Sequence, residues 1–361
     1  MATTTFQWAN ETLSSDFTDI IDVRSPSEFE LDHLPGAINL PVLSDEERVE
    51  TGILYKRDSF AAKKMGAAKI ARNIAHHLEG ALSTKAGSFY PLVYCWRGGM
   101  RSQSLGIILS QVGFRVAVLK GGYRTYRHQV LSQLENHPEQ LNLRILAGLT
   151  GTAKTRLLHR MSAQGFQVLD LEGLANHKGS LLGSPLGDSQ PSQKFFESGL
   201  AHALARFDPE RPVWVECESN KIGALHIPSA LWRRMQTAPV VELTVPLPRR
   251  VEFLLEDYDY FLQQPSLLKE RIRLLSRLRG AKTVDHWCEL IDQDRWEEFV
   301  QDLLVNHYDP TYRGAQARWT EHRLASYTLD ALTPPHMDSL VSRLGEELEP
   351  DTRTHTTPLR E

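Results

Sequence analysis

The chain has 361 residues, 41% of them hydrophobic and 24% charged, and a net charge of −4. That balance suits a globular protein with a sizeable core and two or three domains, and it argues against a chain that coats nucleic acid indiscriminately, while leaving room for a local basic face. Cys95, Cys217 and Cys288 lie far apart without metal-type pairs, so neither a disulfide framework nor a zinc site is supported. Residues 1–10 lack a basic start followed by an apolar core, and no apolar run approaches the roughly 20 residues that span a bilayer; the expectation is a cytoplasmic protein without membrane contact.

In chain order, short strands are expected over residues 20–23, 92–95 and 116–119, with helical patterns between them. Ser44-Asp45-Glu46-Glu47 has capping-box spacing, and an alanine-rich stretch over 59–82 predicts one long helix whose Lys63, Lys64 and Lys69 solvate an outer face. The informative stretch is Tyr94-Cys95-Trp96-Arg97-Gly98-Gly99-Met100-Arg101-Ser102. A buried strand runs into a loop with two glycines and two arginines, then into a helix over 104–112. Loop amides, a helix N-terminus and the charges of Arg97 and Arg101 all favour a thiolate at Cys95, so nucleophilic sulfur is the reading. Against it stands the ordinary role of a free cysteine as a small apolar core residue.

Upstream, Ile20-Ile21-Asp22-Val23-Arg24-Ser25-Pro26 and Asp32-His33-Leu34-Pro35-Gly36-Ala37 resemble the two hallmark segments of the rhodanese family, and Leu119-Lys120-Gly121-Gly122 resembles the segment that closes its site from behind. The resemblance implies a rhodanese-like domain over 1–134 that carries sulfur or selenium on Cys95. Five residues also separate Cys95 from Arg101, the spacing of cysteine-dependent phosphatases, and the loop alone does not choose between them.

Residues 135–141 are polar and read as a linker. A strand over 143–147 then leads into Gly148-Leu149-Thr150-Gly151-Thr152-Ala153-Lys154-Thr155 and a helix over 156–164. This is a P-loop order, in which backbone amides cradle a phosphate, Lys154 neutralises it and Thr155 can hold Mg²⁺. The phosphate-binding set is therefore Gly148, Thr150, Gly151, Thr152, Ala153, Lys154 and Thr155. Ala153 stands where the motif wants glycine, and its Cβ would crowd a glycine-only conformation. Two further strands end in acids, of which Asp170 and Glu218 are the candidates for a metal or acid–base role; an acid at a strand end is as often a soluble turn residue. Residues 179–193, rich in glycine, proline and serine, suit a substrate loop.

A strand is expected over 240–245 and a helix over 248–262. The stretch 269–282 carries Lys269, Arg271, Arg273, Arg277, Arg279 and Lys282 against Glu270 alone, with Leu268, Ile272 and Leu275 on the opposite side. Read as one helix, it packs one face and offers Lys269, Arg273 and Arg277 to phosphate, although solvated basic faces are common. Trp287, Trp296 and Trp319 could stack on bases, but core positions are the commoner use. The domain is expected to run over 142–320, followed by an extension over 321–348 and a disordered tail over 349–361.

Both halves together, with Val168-Leu169-Asp170-Leu171-Glu172-Gly173-Leu174-Ala175 and His177-Lys178-Gly179-Ser180, resemble the tRNA 2-selenouridine synthases. The implied fold class is α/β: a rhodanese-like domain and a P-loop NTPase-like domain with a helical extension. The implied activity replaces sulfur by selenium at the wobble 2-thiouridine of tRNA, with selenophosphate and geranyl diphosphate as co-substrates and an S-geranyl intermediate. The expected partners are thus tRNA and these two co-substrates. No tightly bound cofactor is expected, no metal is certain, and Mg²⁺ is the ion that Thr155 and nearby acids would suit. Three other readings stay open: a sulfurtransferase or phosphatase coupled to a nucleotide-binding domain, a kinase or ATPase that leaves Cys95 idle, and a non-enzymatic RNA-binding module.

Overall fold

The structure is a computed structural model, and it describes residues 6–10, 16–179, 182, 189–217, 219–312 and 320–349. Glu218, Trp319, most of the 179–193 loop and the tail beyond Glu349 lie outside the described residues. The chain forms two compact units, Met1–Leu134 with Pro191–His202, and Glu135–Gln190 with Ala203–Glu361. Residues 191–202 thus belong with the first unit, in contrast to the sequence reading, which put them in the second.

In the first unit, β1 (Gln7–Ala9), β2 (Asp19–Asp22), β3 (Ala37–Asn39), β4 (Pro91–Tyr94) and β5 (Ala117–Leu119) form a wholly parallel sheet in the order β1-β5-β4-β2-β3. All four residues of the central strand β4 are buried, which explains why that strand reads as a continuous apolar run. The intervening helices are α1 (Pro26–Leu31), α2 (Asp45–Arg57), α3 (Ser59–Glu79), α4 (Met100–Val112) and α5 (Tyr123–Asn136). Ser44 and Glu47 form the capping box on α2, and Asp58 caps α3. On α3, Ala62, Gly66, Ile70 and Ile74 make a stripe at helical spacing, and Ile70 and Ile74 join Ile21, Val23, Val93, Leu105 and Leu109 in the core.

The second unit begins in the segment expected to be a linker, which instead finishes α5 and makes a short 3₁₀ turn, Pro138–Gln140. Its sheet contains β6 (Asn142–Gly148), β7 (Gln167–Leu169), β8 (Pro212–Glu216), β11 (Val240–Thr244) and β12 (Arg323–Thr328), all parallel, in the order β12-β11-β6-β8-β7. A two-residue hairpin of β9 (Lys221–Ile222) and β10 (Leu225–His226) lies apart from it. β6 is central and runs through the P-loop into α6 (Lys154–Ala163). The C-terminal part is no mere extension: β12 completes the sheet, and Met337, Leu340, Val341 and Leu344 of the last helix, Pro334–Leu348, pack into its core.

The remaining helices are α7 (Leu171–Ala175), α8 (Gln193–Leu204), α9 (Ser229–Gln236), α10 (Leu247–Asp257), α11 (Asp259–Leu262), α12 (Pro265–Arg273), α13 (Ser276–Arg279), α14 (Ala281–Asp292) and α15 (Trp296–Leu303). The helix expected over 248–262 is divided between α10 and α11, and the basic stretch into three pieces. Gly280, at φ 84°, separates α13 from α14 in a conformation that a continuous helix does not contain. Leu268, Ile272 and Leu275 are buried as expected, in a helical cluster with Trp287, Ile291 and Phe299.

Candidate active site: a thiol loop and a phosphate loop

Cys95 follows the last residue of β4 and is 3% exposed. The Ser102 hydroxyl donates to its Sγ at 3.2 Å from the first turn of α4, whose N-cap is Gly99. The loop is shaped by glycines that touch backbone. Gly98 has φ 67°, and a Cβ there would come within 2.6 Å of the Leu119 carbonyl; Gly122 has φ 61°, and its Cβ would lie 2.2 Å from the Cys95 carbonyl. The amides of Tyr123 and Arg124 donate to the carbonyls of Cys95 and Trp96 at 2.8 and 3.2 Å, and Trp96 stacks on Tyr123. Gly121-Gly122 therefore braces the loop from behind, as the sequence resemblance implies.

The two arginines differ. Arg97 is exposed, whereas Arg101 is tied to Glu28 at 2.8 Å, and Glu28 also accepts from Arg48 at 2.9 Å. Burial pushes the Glu28 carboxyl up, and the hydrogen bond and charge of Arg101 with the charge of Arg48 outweigh it, holding Glu28 below the usual carboxylate range. Both arginines line an open cavity of about 820 Å³ beside Cys95, with Arg48, Lys56 and Lys63 on its basic wall and Ile53 and Met100 among its apolar lining. The hallmark segments upstream serve as scaffolding. Arg24 and Asp22 make a fully buried ion pair, and Asp32 accepts from Tyr123 and Ser198. Burial raises the Asp32 carboxyl, and those two hydrogen bonds only partly offset it.

In the second unit the P-loop joins β6 to α6. A Cβ on Gly148 would meet the Thr152 hydroxyl at 2.6 Å and the Leu243 carbonyl at 2.9 Å. Gly151 has φ 84°, and Ala153 sits at φ 59°, ψ 33°, the left-handed region where a Cβ costs about 1 kcal/mol. Lys154 Nζ donates to the Gly148 carbonyl at 3.0 Å, and the Thr152 hydroxyl to that of Leu149 at 2.9 Å. Two acids meet Thr155 among the described residues. Its hydroxyl lies 3.1 Å from both Glu172, in the first turn of α7, and Glu216, the last residue of β8. Asp170 instead caps α7 through the Gly173 amide at 2.7 Å and meets His159 at 2.9 Å. Glu218, the other candidate, is outside the described residues.

Sequence reasoning missed Arg250. It is 3% exposed, its Nε donates to the Thr150 carbonyl at 2.8 Å, and its other nitrogens make a paired contact with Asp309 at 2.6 and 3.0 Å. It fixes the loop from outside the motif. Among the described residues no cluster of three or more His, Cys, Asp or Glu collects.

Comparison with known proteins agrees with both halves. A family profile described as a rhodanese-like domain matches residues 5–129, and one described as the tRNA 2-selenouridine synthase AAA domain matches residues 141–271. The tRNA 2-selenouridine synthase of Nitrosomonas europaea is 36% identical over 71% of this chain and 67% of its own. That of a Sulfurovum species is 32% identical over 83% of this chain and 91% of its own. That of Shewanella frigidimarina is 36% identical over 81% and 87%. This chain belongs to the tRNA 2-selenouridine synthase family.

As a member of that family it is an enzyme, with an N-terminal rhodanese domain and a C-terminal P-loop-like domain. In this chain the basic residues of 269–282 do not form a single row. Lys269 is engaged by Asp292, and Arg279 is drawn inward to His307 and Thr311. Arg273 ends α12 and Arg277 lies in α13, both exposed, beside Leu274 and Leu278, which are 65% and 72% exposed. Trp287 is fully buried and donates to Asp302, so it is a core residue. No helix among the described residues is long and apolar enough to cross a membrane.

Proposed function

We propose that the enzyme replaces sulfur by selenium at the wobble 2-thiouridine of tRNA in two steps, geranylation at the P-loop and selenation at Cys95. A thiocarbonyl sulfur leaves poorly; alkylation by geranyl diphosphate converts it to a thioether that departs as geranylthiol. The geranylation step releases diphosphate, and the loop amides with Lys154 balance the charge that grows on it. The Cys95 thiolate attacks the phosphorus of selenophosphate, releasing hydrogen selenide and leaving a phosphocysteine that water hydrolyses to phosphate, which frees Cys95. The selenide then attacks C2 of the base and geranylthiol leaves, giving 2-selenouridine.

The observation that carries this division is that the thiol and the phosphate cradle each have a complete, separate support: Ser102 and the Gly121-Gly122 brace for one, Arg250 and the Thr155 acids for the other. An oxygen-only set of Thr155, Glu172 and Glu216 fits Mg²⁺, which when bound would add positive charge beside the diphosphate. A phosphatase reading is disfavoured because it leaves the phosphate loop of the second unit without a role. Exposed Arg273 and Arg277 remain suited to tRNA phosphates, now as neighbours on two short helices. Weighing the wobble nucleoside from cells carrying Cys95→Ser or Lys154→Ala tests the proposal: geranylated 2-thiouridine should accumulate in the first and unmodified 2-thiouridine in the second. Wild-type selenouridine in either variant would refute it.

A further inference from the structure

An apolar pocket lies beside the phosphate loop. Thr150 of the loop forms one part of its wall, and Leu254, Tyr258, Phe261, Phe299 and Leu303 form much of the rest. The two features are joined by contact, since the position of a Cβ on Gly151 would be 3.1 Å from Leu254 Cδ1. The geometry points to a site for the hydrocarbon chain of a prenyl diphosphate, whose head group occupies the P-loop. This rests on the reading that the P-loop takes a diphosphate and adds to it where the chain goes and what selects it.

The chemistry of the wall favours a hydrocarbon over a nucleotide base. Apart from Thr150, the phenols of Tyr258 and Tyr308 and the indole N–H of Trp296, the lining is aliphatic or aromatic carbon. A purine held there would have few partners for its ring nitrogens and amino group, which is costly in a dry pocket. A prenyl chain asks for none. The space is about 60 Å³, room for a few water-sized groups and so for only part of a prenyl chain. A ten-carbon chain needs the rim to give way, and Leu262, 36% exposed, and half-buried Trp296 are the side chains free to do so. Affinity should therefore rise with chain length, since each further buried carbon removes apolar surface from water.

The test is calorimetric titration of the full chain with methyl, dimethylallyl and geranyl diphosphates, which share one head group, and with ADP. Wild type should bind geranyl diphosphate about 30-fold more tightly than methyl diphosphate, with dimethylallyl diphosphate between them. Leu262→Trp, which fills the pocket from its exposed side, should reduce that ratio to about threefold and leave methyl diphosphate binding unchanged. Trp296→Ala is the second variant and should weaken only the two prenyl ligands, by about tenfold, so the result does not depend on one substitution folding well. Equal binding of methyl and geranyl diphosphates by wild type, ADP matching geranyl diphosphate, or an undiminished ratio in both variants would overturn the pocket and leave the diphosphate cradle standing. Failure of every diphosphate to bind wild type would overturn the cradle and the pocket with it.

Discussion

The thiol loop and the phosphate loop solve the same geometric problem with different materials. Each follows the central strand of a parallel sheet and leads into a helix N-terminus, the place where such sheets present ligands. The thiol loop carries its left-handed positions on glycine and is braced by backbone, with Gly98 and Gly122 against the carbonyls of Leu119 and Cys95. The phosphate loop puts an alanine in a left-handed position and is braced by side chains, Arg250 with Asp309 outside and Thr155 with two glutamates inside. Backbone bracing leaves no substitution that preserves it. Side-chain bracing can be tuned, and that is the feature a loop needs if it must grip a diphosphate and release it.

The largest effect should therefore come from the thiol loop. Gly122→Ala places a Cβ against the Cys95 carbonyl at a positive φ and should cost at least about 4 kcal/mol in the first unit, read as early melting there, while methyl diphosphate binding by the second unit survives. Arg250→Met should cost about 3 kcal/mol in the second unit, because Asp309 loses its partner and the Thr150 carbonyl its donor. Calorimetric melting with diphosphate binding alongside should show both losses together. A variant that binds normally would mean that Arg250 supports the fold but not the loop.

How much of this was legible in the sequence follows the same division. The thiol loop was readable because its parts are local: strand, cysteine, glycines and helix lie within a few residues, and Gly121-Gly122 carries its own signature. The braces of the phosphate loop come from far along the chain. Arg250 lies at the start of the helix expected over 248–262, and nothing local announces that it turns inward to Thr150. The acids were nearly legible. Each expected strand end offered two candidates two residues apart, and which one meets Thr155 depends on where the strand stops. β7 ends at Leu169, so Asp170 becomes a helix cap and Glu172 falls beside Thr155; β8 extends to Glu216. The basic stretch misled for another reason: the spacing of Lys269, Arg273 and Arg277 is regular in the sequence, whereas α12 ends at Arg273 and α13 begins only at Ser276. β12 gave no signal, since only Tyr327 of its residues is buried.

Smaller effects sharpen the comparison further. Ala153→Gly should stabilise the second unit by up to about 1 kcal/mol, because the left-handed angle no longer opposes a side chain, although some of the gain is lost to a freer unfolded chain. Equivalent glycine-to-alanine changes in the thiol loop should only destabilise. The smallest expected effect is on the acid limb of stability. Burial, then the charge of Arg279, holds His307 below the ordinary histidine value of 6.5, and Arg279 Nε donates to its Nδ1 at 2.9 Å. The unfolded chain takes up a proton near pH 6.5 while the folded one does not, so this contribution is intact above that pH and is lost as the pH falls toward the folded value. His307→Gln keeps an acceptor and cannot titrate, so melting temperature measured from pH 7.5 to 5 should fall less steeply in the second unit than it does in wild type.

The central claim, two separable steps on two independently braced loops, is tested most directly by supplying the intermediate. Purified Lys154→Ala is given RNA that already carries S-geranyl-2-thiouridine, together with selenophosphate, and the nucleoside is weighed over time. Selenouridine should form at the wild-type rate, because the phosphate loop has been bypassed, while Cys95→Ser under the same conditions should form none. Loss of selenation in Lys154→Ala, or its persistence in Cys95→Ser, would contradict the account.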